Sequence, residues 1–356
     1  MSLTDAQTTF RSLLKRLVET PEYFSPDDLQ SALNLLFTPE VLHPSQIGAF
    51  LTALHIHRIE RRPEFLAAAA SVLRSRALKA AVEDIDADFV VDIVGTGGDG
   101  YNLFNVSTTA AIVAAGAGAR VIKHGSRAST SSSGSADLLE SLDCLFVAPT
   151  PGTPMPIARV PFTFILAPHY HPSLAAIAPY RKSLPFRTMF NVLGPLINPA
   201  RPRGMVLGVA APEIGSAFAK SLREGGVQRA LVVCGFEGLD EVSCAGPTHA
   251  WELHEDGSMF GLPAHALATV AGGSPQDNAA TFKTLLSSGD QIPQNIVPVL
   301  DFVLMNASAL LVVAGVAKDY KEGTELARQS VYSGKAWRAL ETFRDAGIKA
   351  AKSIAV

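Results

Sequence analysis

A chain of 356 residues and 37.6 kDa is long enough for two domains, or for one large domain with an appended lobe. With 47% hydrophobic and 18% charged residues, 28 glycines and 23 prolines, the composition excludes collagen, a short disulfide scaffold and a coiled coil, and describes a soluble globular protein. Thirty Lys and Arg against 33 Asp and Glu leave a formal charge of −3, so no overall basic field exists to hold a nucleic acid or an anionic membrane.

Cys144, Cys234 and Cys244 stand singly, with no C-x-x-C pair and no histidine-rich companion at zinc spacing, which points to a reducing compartment. The start, Met1-Ser2-Leu3-Thr4-Asp5, has no charged segment followed by an apolar one. Apolar runs such as Ala110–Ala119 fall short of the roughly 20 residues that span a bilayer, so a cytosolic location and no membrane partner are expected.

From about Thr8 to Ala80 apolar residues recur at helical spacing, as in Phe10, Leu13, Leu14 and Leu17 and again in Leu29, Leu33 and Leu36. Ser25-Pro26-Asp27-Asp28 and His43-Pro44-Ser45-Gln46 put a proline and small polar groups where helices start, so the first lobe is predicted to be several short helices. At Asp88 the pattern changes. Phe89–Val94 predicts a strand ending in glycines, Thr108–Gly118 an alanine-rich helix and Arg120–Lys123 a second strand, which together make a βαβ unit. Phe162–Leu166, Gly204–Val209 and Arg229–Cys234 predict further strands separated by helices, and the Pro-rich Ala148–Pro161 stretch predicts a surface excursion. The fold class is therefore α/β, with a small all-helical domain beside a larger domain.

The first strand leads into Gly95-Thr96-Gly97-Gly98-Asp99-Gly100, and Asn105-Val106-Ser107-Thr108 then opens the helix. Backbone N–H groups free of side chains, next to a helix N-terminus, suit a phosphate or pyrophosphate. A glycine loop alone serves a tight turn equally well, and Ser107 or Thr108 could simply cap the helix. The second strand ends in Lys123-His124-Gly125-Ser126-Arg127 and continues into Ser129–Asp137, rich in hydroxyls. Neighbouring parallel strands present their C-terminal ends to one crevice, so Lys123 and the serine loop would converge on the glycine loop. Past Arg229–Cys234 comes Gly238-Leu239-Asp240-Glu241. Adjacent carboxylates at a strand end suit magnesium, which bridges one or two carboxylates to substrate phosphates, although such a pair is more often a solvated turn.

Taken in order, these motifs resemble the anthranilate phosphoribosyltransferases, enzymes that join anthranilate to phosphoribosyl pyrophosphate (PRPP). The resemblance rests on G-T-G-G-D-G at Gly95–Gly100, N-V-S-T at Asn105–Thr108, K-H-G-S-R at Lys123–Arg127 and S-G-S-A-D at Ser133–Asp137. It continues in His171-Pro172 with Arg181, F-N-V-L-G-P-L-x-N-P at Phe190–Pro199, G-L-D-E at Gly238–Glu241, Asn306–Ala309 and Ser333–Ala336. It implies a helical domain over 1–85, with a hinge contribution from about 172–200, and an α/β domain over 86–356 with a mainly parallel central sheet flanked by helices.

By the same resemblance Gly95, Gly98, Asp99, Asn105, Val106, Ser107, Thr108, Lys123, His124, Gly125, Ser126, Arg127, Ser131 and Ser135 hold PRPP. Gly95, Ser126 and Arg181 hold anthranilate, a guanidinium being able to grip its carboxylate through two parallel hydrogen bonds. Ser107, Asp240 and Glu241 ligate Mg2+, and Lys123, Asp240 and Glu241 act electrostatically, with no single general base; the role of His124 stays open between base and site-shaping group. A homodimer through the helical domain and no nucleic-acid partner are implied as well. Two positions depart from the family: Ser126 stands where Asn is usual, and Leu103 where Thr or Ser is common, so position 103 cannot donate a hydrogen bond to phosphate. Rival readings are a pyrimidine nucleoside phosphorylase, which would have no use for the Asp-Glu pair, and a non-catalytic nucleic-acid-binding relative, which would need a basic groove.

Overall fold

The computed structural model describes residues 2–128, 131–150, 156–252 and 265–354, so Ser129 and Thr130 of the serine loop and 151–155 of the Pro-rich stretch lie outside the described residues. The N-terminal lobe consists of α1 (Leu3–Glu19), α2 (Pro26–Leu36), α3 (Pro44–Ile56) and α4 (Pro63–Arg76). Two starts lie where the sequence puts them. Ser25 accepts the Asp28 N–H at 3.1 Å while the Asp28 carboxylate accepts the Ser25 N–H at 3.0 Å, with Pro26 in the first turn. At α3 the His43 ring accepts from the Ser45 N–H and Gln46 reaches back to the His43 N–H. The first helix begins at Leu3 rather than near Thr8, because Ser2 and Asp5 form a third capping box.

The remaining elements in chain order are β1 (Ala81–Val82), β2 (Val90–Gly95), α5 (Val106–Gly116), β3 (Arg120–Gly125), α6 (Ser135–Glu140), β4 (Pro156–Ile157), β5 (Phe162–Leu166), α7 (Ala167–Tyr170), α8 (Pro172–Ser183), β6 (Gly204–Gly208), α9 (Gly215–Glu224), β7 (Arg229–Gly235), β8 (Thr248–Glu252), α10 (Pro275–Ser287), α11 (Val297–Ala314), α12 (Tyr320–Tyr332) and α13 (Lys335–Ile354). Six strands form one sheet in the order β5-β3-β2-β6-β7-β8, parallel except for β8. The five parallel strands occupy the predicted runs. The antiparallel edge strand has no such signal, since Thr248-His249-Ala250-Trp251-Glu252 lacks a β-branched core. Paired parallel strands β1 and β4 make a second, two-residue ladder.

From β2 the chain builds outward through β3 to β5, then crosses to the other side of β2 for β6 and β7. The strand order thus reverses at β2 and β6, where a parallel sheet leaves a crevice beyond its C-terminal ends. One face of the sheet carries the helical lobe: a continuous core runs from Phe10, Leu33 and Phe50 through Ile177 and Phe190 to Leu207 and Val232. The other face carries α5, α11 and α13.

Gln294–Ala314, 21 residues with mean hydropathy 2.2, is long and apolar enough to cross a membrane, which corrects the expectation that every apolar run is too short. Its most apolar 18-residue stretch is 78% buried within the protein, the helix packs against α5 and α12, and its hydrophobicity belongs to the core.

Candidate active site

The β2 strand delivers Gly95 to the crevice, and Gly97, Gly98 and Gly100 all adopt positive φ, at 68°, 80° and 84°, so the loop turns sharply there. Across the crevice the segment after β7 lays Asp240 over the paired Gly95 and Gly208. A methyl carbon on Gly95 would stand 2.2 Å from Asp240 Oδ2, and one on Gly208 would stand 1.6 Å from the Asp240 carbonyl oxygen. Only glycine at both positions lets the carboxylate segment come this close. Asp240 Oδ2 in turn accepts the Gly97 N–H at 2.6 Å, tying the acidic segment to the glycine loop. Asn306, buried in α11, fixes the next residues: its side chain accepts from the Val242 N–H and donates to the Val242 carbonyl, each at 3.1 Å.

The β3 strand brings Lys123, almost wholly buried, beneath the loop. Its ammonium donates to the Ile93 carbonyl at 2.5 Å and to Ser107 Oγ at 3.3 Å, and Ser107 also bonds Glu241. No side chain caps α5, because the Asn105 amide is diverted to Ser133 and Asn278. This decides against Ser107 or Thr108 as a cap: the helix N-terminus opens on the cavity with its first N–H groups unscreened by a side chain.

The cavity so enclosed has a volume of about 320 Å³. Its walls hold Gly95, Gly98, Asp99, Asn105, Val106, Ser107, Lys123, His124, Gly125, Ser126, Arg127, Ser131, Ser135, Asp240 and Glu241 together. Two expected site residues are not in that wall. Thr108 is fully buried behind it and donates to Ser135 Oγ at 2.9 Å. Arg181, at the end of α8, lies outside it over the Phe190 ring, 5.8 Å from the ring centroid, with its Nε buried and unpartnered. Leu103 does line the cavity, as an apolar wall whose backbone pairs with Ala271.

The floor is strongly acidic. Burial, then the negative charge of Asp99, pushes Asp240 up to about 7, and burial with Asp240 beside it holds Glu241 well above the usual carboxylate range. Burial also pulls the Lys123 ammonium down, against the pull of Asp92, Glu241 and Asp240. Burial and mutual repulsion thus disfavour ionising both carboxylates, a cost that a divalent ion would relieve. Among the described residues no three His, Cys, Asp or Glu side chains form a closed metal cage. An oxygen-only set of two carboxylates and a hydroxyl, open towards a phosphate loop, fits magnesium shared with substrate phosphates.

Several neighbours support this wall, and of these Arg187 and Asp92 belong to none of the sequence motifs. Arg187 donates to the Gly97 and Thr96 carbonyls at 2.7 and 3.0 Å, and its guanidinium packs over Gly98, whose positive φ already disfavours any side chain. His124 and His171 face each other through Nε2 atoms 3.2 Å apart, and His124 Nδ1 is 3.2 Å from the Gly194 carbonyl. Burial, and for His124 also its partner ring, pulls these imidazoles down to about 3 and about 4, so both are neutral. Asp92, buried and raised to about 6, accepts from the His124 N–H and the Asn198 amide. Its one sequence signal is a carboxylate inside an otherwise apolar strand.

Residues 11–77 match the helical bundle domain of a glycosyl transferase family and 87–337 its α/β domain. The chain is 44% identical over 327 residues to the anthranilate phosphoribosyltransferase of Schizosaccharomyces pombe, covering 89% of this chain and 91% of that one. It superposes on the Saccharomyces cerevisiae anthranilate phosphoribosyltransferase solved with PRPP and Mg at a TM-score of 0.85 and 33% identity, covering 96% of this chain and 98% of the other. The same yeast enzyme with 4-fluoroanthranilate gives a TM-score of 0.85 at 32% identity, with the same coverage. With likeness at this level in both lobes, the chain belongs to the anthranilate phosphoribosyltransferase family.

Proposed function

We propose that this chain transfers the phosphoribosyl group of PRPP to the amine of anthranilate, forming the N–C1 bond as the C1–oxygen bond to pyrophosphate breaks. The observation that carries this reading is the convergence of the glycine loop, the open α5 N-terminus, Lys123 and the Asp240-Glu241 pair on one cavity. Relatives similar along nearly the whole chain, among them a yeast enzyme solved with PRPP and Mg, support it.

In this reading the N–H groups of Gly95–Gly100 and of the α5 start hold the pyrophosphate and phosphate oxygens, with Ser126, Arg127, Ser131 and Ser135 closing the other side. Lys123 supplies positive charge under the departing group. Asp240, Glu241 and Ser107 would hold magnesium, which when bound neutralises charge on the leaving pyrophosphate. The aniline-type amine is neutral at pH 7 and needs alignment more than a base. His124 fits a site-shaping role, since each of its ring nitrogens already has a partner, Gly194 on one side and His171 on the other. The spare Nε of Arg181 suits the anthranilate carboxylate, brought in by the 172–200 segment acting as a hinge between a helical domain ending near 85 and the α/β domain. Leu3, Val18, Tyr23 and Ile56, apolar and exposed on the helical lobe, support a homodimer through that lobe. Three buried, unpaired thiols suit a cytosolic enzyme.

Anthranilate fluorescence tests the reaction. Loss of signal that requires both PRPP and magnesium, with equimolar pyrophosphate released, is the expected outcome; no loss from the folded protein would overturn it. Arg181→Ala should raise the KM for anthranilate by about tenfold or more while leaving that for PRPP unchanged.

A further inference from the structure

A second cavity, of about 170 Å³, lies at the opposite ends of the strands from the phosphate loop. It is bounded by α4, by the Pro195–Pro202 segment leading into β6, and by the Gly225-Gly226-Val227 turn leading into β7. It shares no lining residue with the first cavity. Two of its walls are arginines, Arg74 from the last turn of α4 and Arg201 from the segment before β6, and among the described residues no carboxylate lines it.

Among the described residues Arg74 makes one hydrogen bond, from Nη1 to the Leu196 carbonyl at 2.6 Å. Among the described residues neither arginine takes part in an ion pair. Burial, then the positive charge of Arg201, pulls the Arg74 guanidinium below its ordinary range, so the two charges repel each other across the cavity. The other polar side chains of the wall are committed elsewhere: Asn198 to the Asp92 carboxylate and the Ile122 carbonyl, Ser221 to the Pro63 carbonyl. The α4 C-terminus offers carbonyl dipoles that help hold Arg74 in place, but no counter-ion. Two uncompensated guanidiniums with most of their N–H donors unspent, at a cavity too small for a nucleotide, make an oxyanion receptor.

We propose that Arg74 and Arg201 form a binding site for a small oxyanion, phosphate or pyrophosphate, that bridges α4 of the helical lobe to the α/β lobe. Such an anion joins the two bodies that the transfer reaction brings together, so its occupancy alters turnover. That coupling rests on the proposed function; the binding does not.

Calorimetric titration with inorganic phosphate at low ionic strength tests it, on the full chain without substrates. The phosphate loop also takes phosphate, so the wild type should show two binding events. Arg201→Ala, at an exposed position, should weaken one of them by about tenfold or more and leave the other unchanged, while Lys123→Ala should do the reverse. Arg201→Lys, which keeps the charge but loses the bidentate fork, should fall between. Wild-type stoichiometry and affinity in both Arg201→Ala and Arg74→Ala would overturn the proposal, as would a single event in the wild type that Arg201→Ala leaves intact. Repeating the titration with pyrophosphate identifies the preferred anion by the tighter Arg201-dependent event. An Arg201-dependent event with no phosphate effect on turnover would leave the site standing and refute the coupling.

Discussion

Replacing Gly208 by Ala should inactivate the enzyme without unfolding it, because the added methyl carbon lands on the one segment that carries both acidic residues. It would stand 1.6 Å from the Asp240 carbonyl oxygen and 2.3 Å from its carbon, where real Cβ atoms essentially never approach within 3.0 Å. The Asp240 backbone and the end of β6 must therefore separate by at least about 1.4 Å, and the neighbour the methyl meets is main chain, which cannot rotate aside as a side chain would. Overpacking of this kind costs about 1–3 kcal/mol of stability, and at roughly 2–4 °C per kcal/mol the thermal midpoint should fall by several degrees and no further. Catalysis is more sensitive to position: a displacement near 1 Å costs on the order of 10²-fold, close to 2.7 kcal/mol of transition-state stabilisation. The assay compares kcat/KM from anthranilate fluorescence with the midpoint from thermal unfolding. Gly48→Ala serves as the control, since a Cβ there meets nothing within 4 Å and a helix-interior glycine gains roughly 0.5–1 kcal/mol on becoming alanine. Turnover within threefold of wild type in Gly208→Ala would refute the view that the closeness of Asp240 to the strand ends sets the site.

Magnesium removal should show a pH signature. Asp240 rises from 3.8 to about 7 without a cation, so its contribution to stability is fully present below 3.8 and is lost as the pH rises through about 7. Magnesium should accordingly raise the thermal midpoint more at pH 8 than at pH 6, and a similar shift at both values in Asp240→Asn with Glu241→Gln would identify those carboxylates as the cause. Arg187→Ala frees the Thr96 and Gly97 carbonyls and should raise the KM for PRPP about tenfold with little change in stability; an unchanged KM would mean that the loop holds its shape unaided. The buried imidazoles act with the opposite sign to Asp240. His171 falls from 6.5 to about 4 and His124 to about 3, so the stability they contribute is present above pH 6.5 and is lost as the pH falls through those values. His171→Gln should therefore lose less stability than the wild type between pH 6.5 and 4, and a parallel acid limb in denaturant titrations would exclude the pair as its source.

The local features of the fold were legible because they are written in consecutive residues. Proline with a Ser or His cap and an acidic or amide residue three positions on marks helix starts at Pro26 and Pro44, and β-branched runs mark the five parallel strands. The edge strand escapes because its neighbours, not its residues, make it a strand: its pairing from Leu231↔Glu252 to Gly235↔Thr248 satisfies a backbone whose side chains show no period. The helix around Asn306–Ala309 is expected, but its apolar length is misjudged for a related reason, since an apolar run reads alike whether lipid or protein surrounds it.

Motif and position separate in the same way at the site. Glycine loop, lysine and acidic pair each stand out as local patterns, and parallel strand ends bring all three to one cavity. What holds them there is non-local: Gly208 opposite Gly95 across the β2–β6 pair, Asn306, itself part of a motif that carries the resemblance, clamping Val242 from a helix 64 residues away, and Arg187 reaching back 90 residues to Gly97. Each of these holds backbone rather than touching the cavity, and the cost of losing it falls on geometry rather than on chemistry. A sequence motif therefore names the groups that can bind a phosphate, while the distance at which they act is fixed by residues whose only local mark is being small where a strand ends or polar where a helix is otherwise apolar. Gly208 and Asn306 are those residues here. The first has no side chain at a β6 strand end, and the second is an amide buried in the most hydrophobic of the described helices. Between them they set where Asp240 and Glu241 stand, which is why a methyl group at position 208 should cut turnover on the order of 10²-fold in a protein that still folds.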